Sequence, residues 1–204
     1  MRYVIYIPAG IRVAGSIHTF LFADLVGFTA LAEAEGDERA LEVALHLQRR
    51  VRDLLEEHGA RQVKAIGDGL MLHCTSPDAA VRLGLRVVDQ LRADAGFPPV
   101  RVGIHTGPAL ARDDDWYGRT VNVAARLCSV APGGEVLVSE ATRAAAGELG
   151  DVAYGERELH WLRNVSEPIG TYVASRRPHT IASRARRRFA CPFTSLTAKA
   201  EATA

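Results

Sequence analysis

Cysteine is scarce in this chain of 204 residues: Cys74, Cys128 and Cys191 are odd in number, far apart, and form no C-x-x-C pair. Such a set excludes a disulfide framework and gives no zinc or redox motif, so the thiols read as free, with Cys74 and Cys128 in the core. Long apolar runs are also missing. The longest near the start, Tyr3-Val4-Ile5-Tyr6-Ile7, ends at Pro8 and is too short to span a bilayer or to form a signal sequence. No integral membrane segment is therefore expected, and the cytoplasm is the default compartment. Net charge is nearly absent at +1, so no nucleic-acid partner is expected. The charge is unevenly placed, however. Residues 175–204 hold seven Lys and Arg against Glu201 alone, a net of +6 that leaves −5 for residues 1–174. With its Ser, Thr, Ala and Pro content and no periodicity, that basic stretch reads as a disordered, solvated tail, with contact to anionic membrane or nucleic acid as the alternative.

What is present is an apolar fraction of 48%, enough for one α/β domain with a proper core. The expected organisation is a short lead-in over 1–16, a domain over 17–174 and the tail over 175–204. The informative stretch is Thr19-Phe20-Leu21-Phe22-Ala23-Asp24-Leu25-Val26-Gly27-Phe28-Thr29. An apolar strand ends on one carboxylate, then Gly and Thr lead into a helical pattern. Asp24 alone is more often a helix N-cap than a ligand. A carboxylate beside the amides of Val26, Gly27, Phe28 and Thr29 nevertheless suits a hard cation and a phosphate together. A second carboxylate appears in Val63-Lys64-Ala65-Ile66-Gly67-Asp68-Gly69-Leu70-Met71-Leu72, where two apolar segments flank a tight turn and predict a hairpin. Asp-Gly by itself is only a turn. Two carboxylates at a strand end and a hairpin tip can bridge a pair of divalent ions about 4 Å apart, as two-metal phosphoryl transfer requires.

The rest of the chain alternates helix and strand. Leu41, Ala44, Leu45, Val51, Leu54 and Leu55 predict a core-packed helix over about 37–58 that stops at Gly59. Pro77 opens a second helix with Ala80, Val81, Gly84, Val87, Val88 and Leu91 on one face. Val100, Val102 and Ile104 alternate as a strand. His105 at its end lacks a Cys or His partner and reads as packing rather than as a ligand. A third helix follows Gly118, with Asn122 and Arg126 four apart on one face. Then come a strand over 135–139, a brief helix over about 140–146, and strand candidates over about 152–159 and 169–174. The hairpin connections rule out a simple parallel sheet. An α+β fold, a ferredoxin-like βαββαβ sandwich with a mixed, mostly antiparallel sheet and helices packed on it, fits the order.

Three blocks carry a resemblance: Phe22-Ala23-Asp24-Leu25-Val26-Gly27-Phe28-Thr29, then Lys64-x-x-Gly67-Asp68-Gly69, then Asp115-x-x-Gly118-x-x-Val121-Asn122-x-Ala124-Ala125-Arg126. In order and spacing they resemble the signature blocks of class III nucleotidyl (adenylate/guanylate) cyclase catalytic domains, and the segments 101–107 and 133–139 are similar to two further blocks. The resemblance covers roughly 17–174 and is closest to the compact bacterial type, with a short segment between Gly107 and Gly118. It implies that Asp24, Asp68 and the carbonyl of Leu25 hold two divalent cations (Mg²⁺ or Mn²⁺), and that Lys64 and Asp115 recognise the purine. Asn122 would orient the ribose and Arg126 would stabilise the transition state. It further implies an adenylate cyclase that converts ATP to 3′,5′-cyclic AMP and pyrophosphate in a homodimer with shared sites. Guanylate or dual specificity, or a non-catalytic nucleotide-binding dimer, are the alternatives. Where many members carry Lys-Gly near the final hairpin this chain has Leu159-His160-Trp161-Leu162, so that phosphate-contacting Lys is missing and Arg157, Arg163 or His160 is the candidate to replace it.

Overall fold

The computed structural model describes residues 12–177, with side chains from Ile17 onward. The N-terminal segment before Arg12, the basic stretch beyond Arg177 and Cys191 lie outside the described residues. Nine strands and five helices run in the order β1 (Arg12–Leu25), α1 (Phe28–Glu35), α2 (Asp37–Leu55), β2 (Ala60–Ile66), β3 (Gly69–Cys74), α3 (Pro77–Arg92), β4 (Val100–Arg112), β5 (Asp115–Tyr117), α4 (Arg119–Val130), β6 (Val136–Ser139), α5 (Glu140–Ala146), β7 (Val152–Tyr154), β8 (Glu158–His160) and β9 (Ile169–Arg176). The sheet order is β2-β3-β1-β4-β6-β9-β7, with β5 added to β4 and β8 to β9. Among the described strands only the β4–β6 pair is parallel. The first four strands with their intervening helices form the expected βαββαβ unit, in which the Asp24-bearing strand lies between β3 and β4.

Strand alternation divides the core between the two faces of the sheet. Leu21, Ala23 and Leu25 point to one face, where Val43, Leu47, Val51 and Leu54 of α2 and Val81, Val87, Val88 and Leu91 of α3 close over them. Phe20 points to the other, with Met71, Trp116 and Ala124 of α4, and Phe22 and Val121 pack alongside. Asp24 continues the Phe20–Phe22 row, so the sheet's period of two places it on the α4 face.

Four features differ from the sequence expectation. Strand β1 begins at Arg12, inside the proposed lead-in, and β9 runs on to Arg176. Leu41 and Leu45 are 59% and 41% exposed, because the buried stripe of α2 is Ala40, Val43, Ala44, Leu47, Val51 and Leu54. The segment after Gly107 is a continuation of β4 that turns back as β5 through Asp113 and Asp114, at φ 50° and 63°. Two consecutive positive φ values at a two-residue loop are those of a type I′ turn. Finally, the 152–159 candidate is two short strands, each paired with β9.

Candidate active site

Asp24 is the penultimate residue of β1, still paired with β4, and Gly27, at φ 79°, bends the chain into α1. A Cβ there would meet nothing within 4 Å, so glycine is favoured by conformation and not by space. Of the amides after Asp24, that of Val26 donates to the Pro99 carbonyl at 2.9 Å and is therefore engaged within the fold. This corrects the expectation that Val26 faces phosphate. Phe28 and Thr29 lie in the first turn of α1, whose N–H groups have no acceptor within the helix.

The second carboxylate arrives on the β2–β3 hairpin. Ile66 pairs with Gly69, leaving a two-residue turn of Gly67, at φ 61°, and Asp68. Glycine at the first position with φ positive there alone is the type II′ arrangement. Ala23 pairs with Leu70, so the tip stands beside the end of β1. The two carboxylates are neighbours: the pKa of Asp68 is raised by burial first, then by the charge of Asp24 and a hydrogen bond shared with it. A Cβ on Gly69 would sit 3.3 Å from Asp24 Oδ1, so the missing side chain keeps space open at that oxygen. A cleft of about 250 Å³ lies here, lined by Phe22, Asp24, Ile66, Gly69, Ala125 and Ser129. A larger one of about 460 Å³, between α2 and the turn after α3, holds none of the residues singled out from the sequence.

Lys64 Nζ donates to Asp115 Oδ2 at 2.6 Å, with the two side chains 40% and 23% exposed. The Lys64 hydrogen bond is the main reason the Asp115 carboxyl lies below the usual value. Its other oxygen, Oδ1, accepts from the Trp116 amide at 2.8 Å. Trp116 in turn stacks on His73 at 4.7 Å and 8°, edge-on to Phe20, which fixes β5 against the sheet. Burial pushes His73 down to about 4, leaving a neutral ring for that stack.

Asn122 is exposed on α4, and Arg126, one turn on, donates through Nη1 to the Asn164 carbonyl at 3.4 Å. Among the described residues no hydrogen bond or ion pair joins either side chain to Asp24, Asp68, Lys64 or Asp115. The chain thus brings together two pairs, Asp24 with Asp68 and Lys64 with Asp115, and, among the described residues, bonds Asn122 and Arg126 to neither. His105 is buried and bonded to Ser139 Oγ at 2.8 Å, a core contact. One residue was not foreseen. Arg101 of β4 donates to Asp24 Oδ2 from Nε at 2.9 Å and from Nη2 at 2.5 Å. Position 101 faces position 24 across an antiparallel pair, a relation that only the strand register reveals.

The family model for the adenylate and guanylate cyclase catalytic domain matches residues 15–159. The chain belongs to that family. A pH-sensitive adenylate cyclase of Mycobacterium tuberculosis is 40% identical over 130 residues, 64% of this chain and 32% of that protein. An adenylate cyclase of Streptomyces coelicolor is 38% identical over 120 residues, 59% of this chain and 32% of that one. The chain therefore spans about a third of the length of these curated relatives. Among solved structures, an adenylate cyclase from Trypanosoma brucei in its monomeric state is similar with a TM-score of 0.66 and 27% identity, over 80% of this chain and 95% of that one. The adenylyl cyclase CyaB of P. aeruginosa, at 24% identity and a TM-score of 0.66, shares the fold.

Members of this cyclase family use divalent metals. Among the described residues no three His, Cys, Asp or Glu side chains converge as a ready-made cage. Two adjacent carboxylates beside an open space fit the way Mg²⁺ is usually held, by one or two carboxylates with water and substrate phosphates completing the shell. The described helices include none long and apolar enough to cross a membrane.

The raised pKa of Asp68 has a measurable consequence. The folded chain binds the Asp68 proton more tightly than the unfolded chain does, so this group contributes least to stability when it is ionised. Stability is lost as pH rises from the ordinary 3.8 through the raised folded value. In EDTA, Asp68→Asn is expected to raise the thermal midpoint at neutral pH, with the gain vanishing below that window. A gain that stays constant into acid would contradict the coupling.

Proposed function

We propose that the chain is an adenylate cyclase that closes ATP to 3′,5′-cyclic AMP, releasing pyrophosphate, and that it does so as a homodimer with composite sites. The observation that carries this is the Lys64–Asp115 pair, an ammonium donor and a carboxylate acceptor at one edge of the sheet. Adenine offers an acceptor at N1 and a donor at its exocyclic amine, the complement of that pair. Guanine presents those groups in another order. Without a base, Lys64 and Asp115 satisfy each other, so an entering purine replaces one charge-assisted bond by two bonds of its own. The names of the M. tuberculosis and S. coelicolor relatives agree with ATP as substrate.

In this scheme Asp24, Asp68 and the Leu25 carbonyl would hold two divalent cations, Mg²⁺ or Mn²⁺. When bound, these ions lower the pKa of the ribose 3′-hydroxyl and neutralise the triphosphate. The 3′-oxygen forms a bond to the α-phosphorus, the bond from that phosphorus to the pyrophosphate oxygen breaks in line with it, and the hydroxyl proton leaves to solvent. The amides of Gly27, Phe28 and Thr29 face the phosphates from the α1 turn. Asn122 orients the ribose, and Arg126 neutralises charge growing on the α-phosphoryl oxygens. In this scheme a second copy supplies Arg126, because within one chain its hydrogen bond is to the Asn164 carbonyl and, among the described residues, none reaches Asp24 or Asp68. Near the last hairpin, Arg157 is bound to both oxygens of Glu140 at 2.8 Å. Arg163 has no ion pair among the described residues and follows Leu162, which is buried against Val123 and Leu127 of α4. Arg163 is therefore the cation left uncommitted for the triphosphate in this scheme.

The test is product formation by the purified chain with ATP or GTP and with Mg²⁺ or Mn²⁺, beside Asp68→Ala. Cyclic AMP should form with a clear excess over cyclic GMP, and Asp68→Ala should bring it to background. No cyclic nucleotide from any combination would leave a binding protein instead of an enzyme.

A further inference from the structure

Arg101 joins two parts of the molecule that the proposed chemistry uses separately. Its Nε and Nη2 converge on Asp24 Oδ2, and its Nη1 donates to the Ser129 carbonyl at 2.8 Å. Ser129 lies in the last turn of α4, where carbonyls have no acceptor role left within the helix. The amide after the helix, that of Ala131, turns to Leu127 and Cys128. The Ser129 carbonyl is thus capped by a cation from the neighbouring strand, in the position where positive charge favours a helix C-terminus. Both side chains of the ion pair are about one-quarter exposed, 27% for Arg101 and 26% for Asp24. This is a held contact in a partly desolvated site and not a loose surface pair.

A carboxylate oxygen that accepts two N–H bonds from a guanidinium has little room for a cation, and the guanidinium repels the cation as well. We propose that Arg101 is a latch on the metal site: in the unloaded chain it covers Asp24 Oδ2, and a divalent cation takes that oxygen only as the guanidinium lets go. Because the same guanidinium caps α4, loading of one chain's carboxylates loosens the anchor of the helix that bears Asn122 and Arg126. In a composite dimer that helix serves the partner's site, so the two sites sense each other's metal. The inference rests on the proposed role of Asp24, deepens it, and is read without nucleotide.

Mn²⁺ is titrated into the nucleotide-free protein, with free Mn²⁺ followed by electron paramagnetic resonance. Arg101→Gln should bind Mn²⁺ about tenfold more tightly than the parent, the scale of one charge-assisted hydrogen bond removed from competition. Arg101→Lys keeps the charge but cannot fork between Asp24 and Ser129, so it should also bind more tightly, by a smaller factor. The gain should disappear in Arg101→Gln combined with Asp24→Ala. Saturating Mn²⁺ should speed amide exchange at Val130 and Ala131 in the parent and leave it unchanged in Arg101→Gln. Equal or weaker Mn²⁺ binding by Arg101→Gln, a gain that survives loss of Asp24, or an Arg101→Lys chain identical to the parent would each overturn the latch. Failure of the parent to make cyclic nucleotide is a separate result and would count against the cyclase proposal alone.

Discussion

Gly103→Ala is expected to cost the chain both stability and any activity that depends on α4, and to do so more severely than a methyl group added at any other described glycine of the sheet. A Cβ at position 103 would lie 2.1 Å from the Cys128 amide nitrogen and 2.6 Å from its Cα. Both are backbone atoms of α4, so no rotamer change relieves the clash and the helix itself must move. Overpacking of this kind typically costs about 1–3 kcal/mol, and more where backbone is displaced. The movement also carries Asn122 and Arg126, and a misplacement near 1 Å can cost about 10²-fold in rate. Gly84→Ala is the comparison. Its Cβ would meet side-chain tips of Val136, Ile104 and Val102 at 3.1–3.2 Å, and alanine is the better helix former. Urea unfolding should separate the two variants clearly, and equal midpoints would mean that α4 does not rest on the β4 backbone as described.

The parts of the fold legible in the sequence were those where local chemistry and global pattern agree. The apolar strand ending in Asp24, the Gly67-Asp68 turn and the proline-opened α3 each carry their own signal, and together they left few topologies open. The parts that were not legible depend on what lies opposite. Leu41 and Leu45 fit a helical stripe as well as Leu47 does, and only the position of the sheet decides that the stripe runs through Ala40, Val43, Leu47 and Val51. The β4–β5 hairpin was hidden because Asp113 and Asp114 take positive φ without glycine, although paired acidic residues before Trp116 were a faint turn signal. At the site, sequence blocks singled out Lys64 and Asp115, which the fold brings to 2.6 Å across 51 positions. Arg101 was invisible for the opposite reason: its meaning lies in the register that sets it against Asp24, and nothing near it in the chain announces that. The Val26 amide was assigned to phosphate because it follows Asp24, and the Pro99 carbonyl that occupies it is distant in sequence.

Mixing an Asp24→Ala chain with an Arg126→Ala chain is expected to restore activity that neither has alone. Arg126→Ala by itself should lower the rate by about 10²–10³, as for other preorganised donors to a developing negative charge. Asp24→Ala should remove cation binding at its own carboxylate pair. If each site takes its carboxylates from one copy and its arginine from the other, a mixed dimer has one site with both lesions and one with neither. Random pairing of equal amounts in a symmetric dimer then gives roughly a quarter of the parent's site number. The geometry gives a matched control: Asp24 and Asp68 lie side by side within one chain, so mixing Asp24→Ala with Asp68→Ala damages both sites of every mixed dimer and should restore nothing. Recovery in the first mixture and not in the second would separate sharing between chains from mere stabilisation by a partner. Equal recovery in both, or an Arg126→Ala chain as active as the parent, would put Arg126 outside the chemistry and return α4 to a packing role.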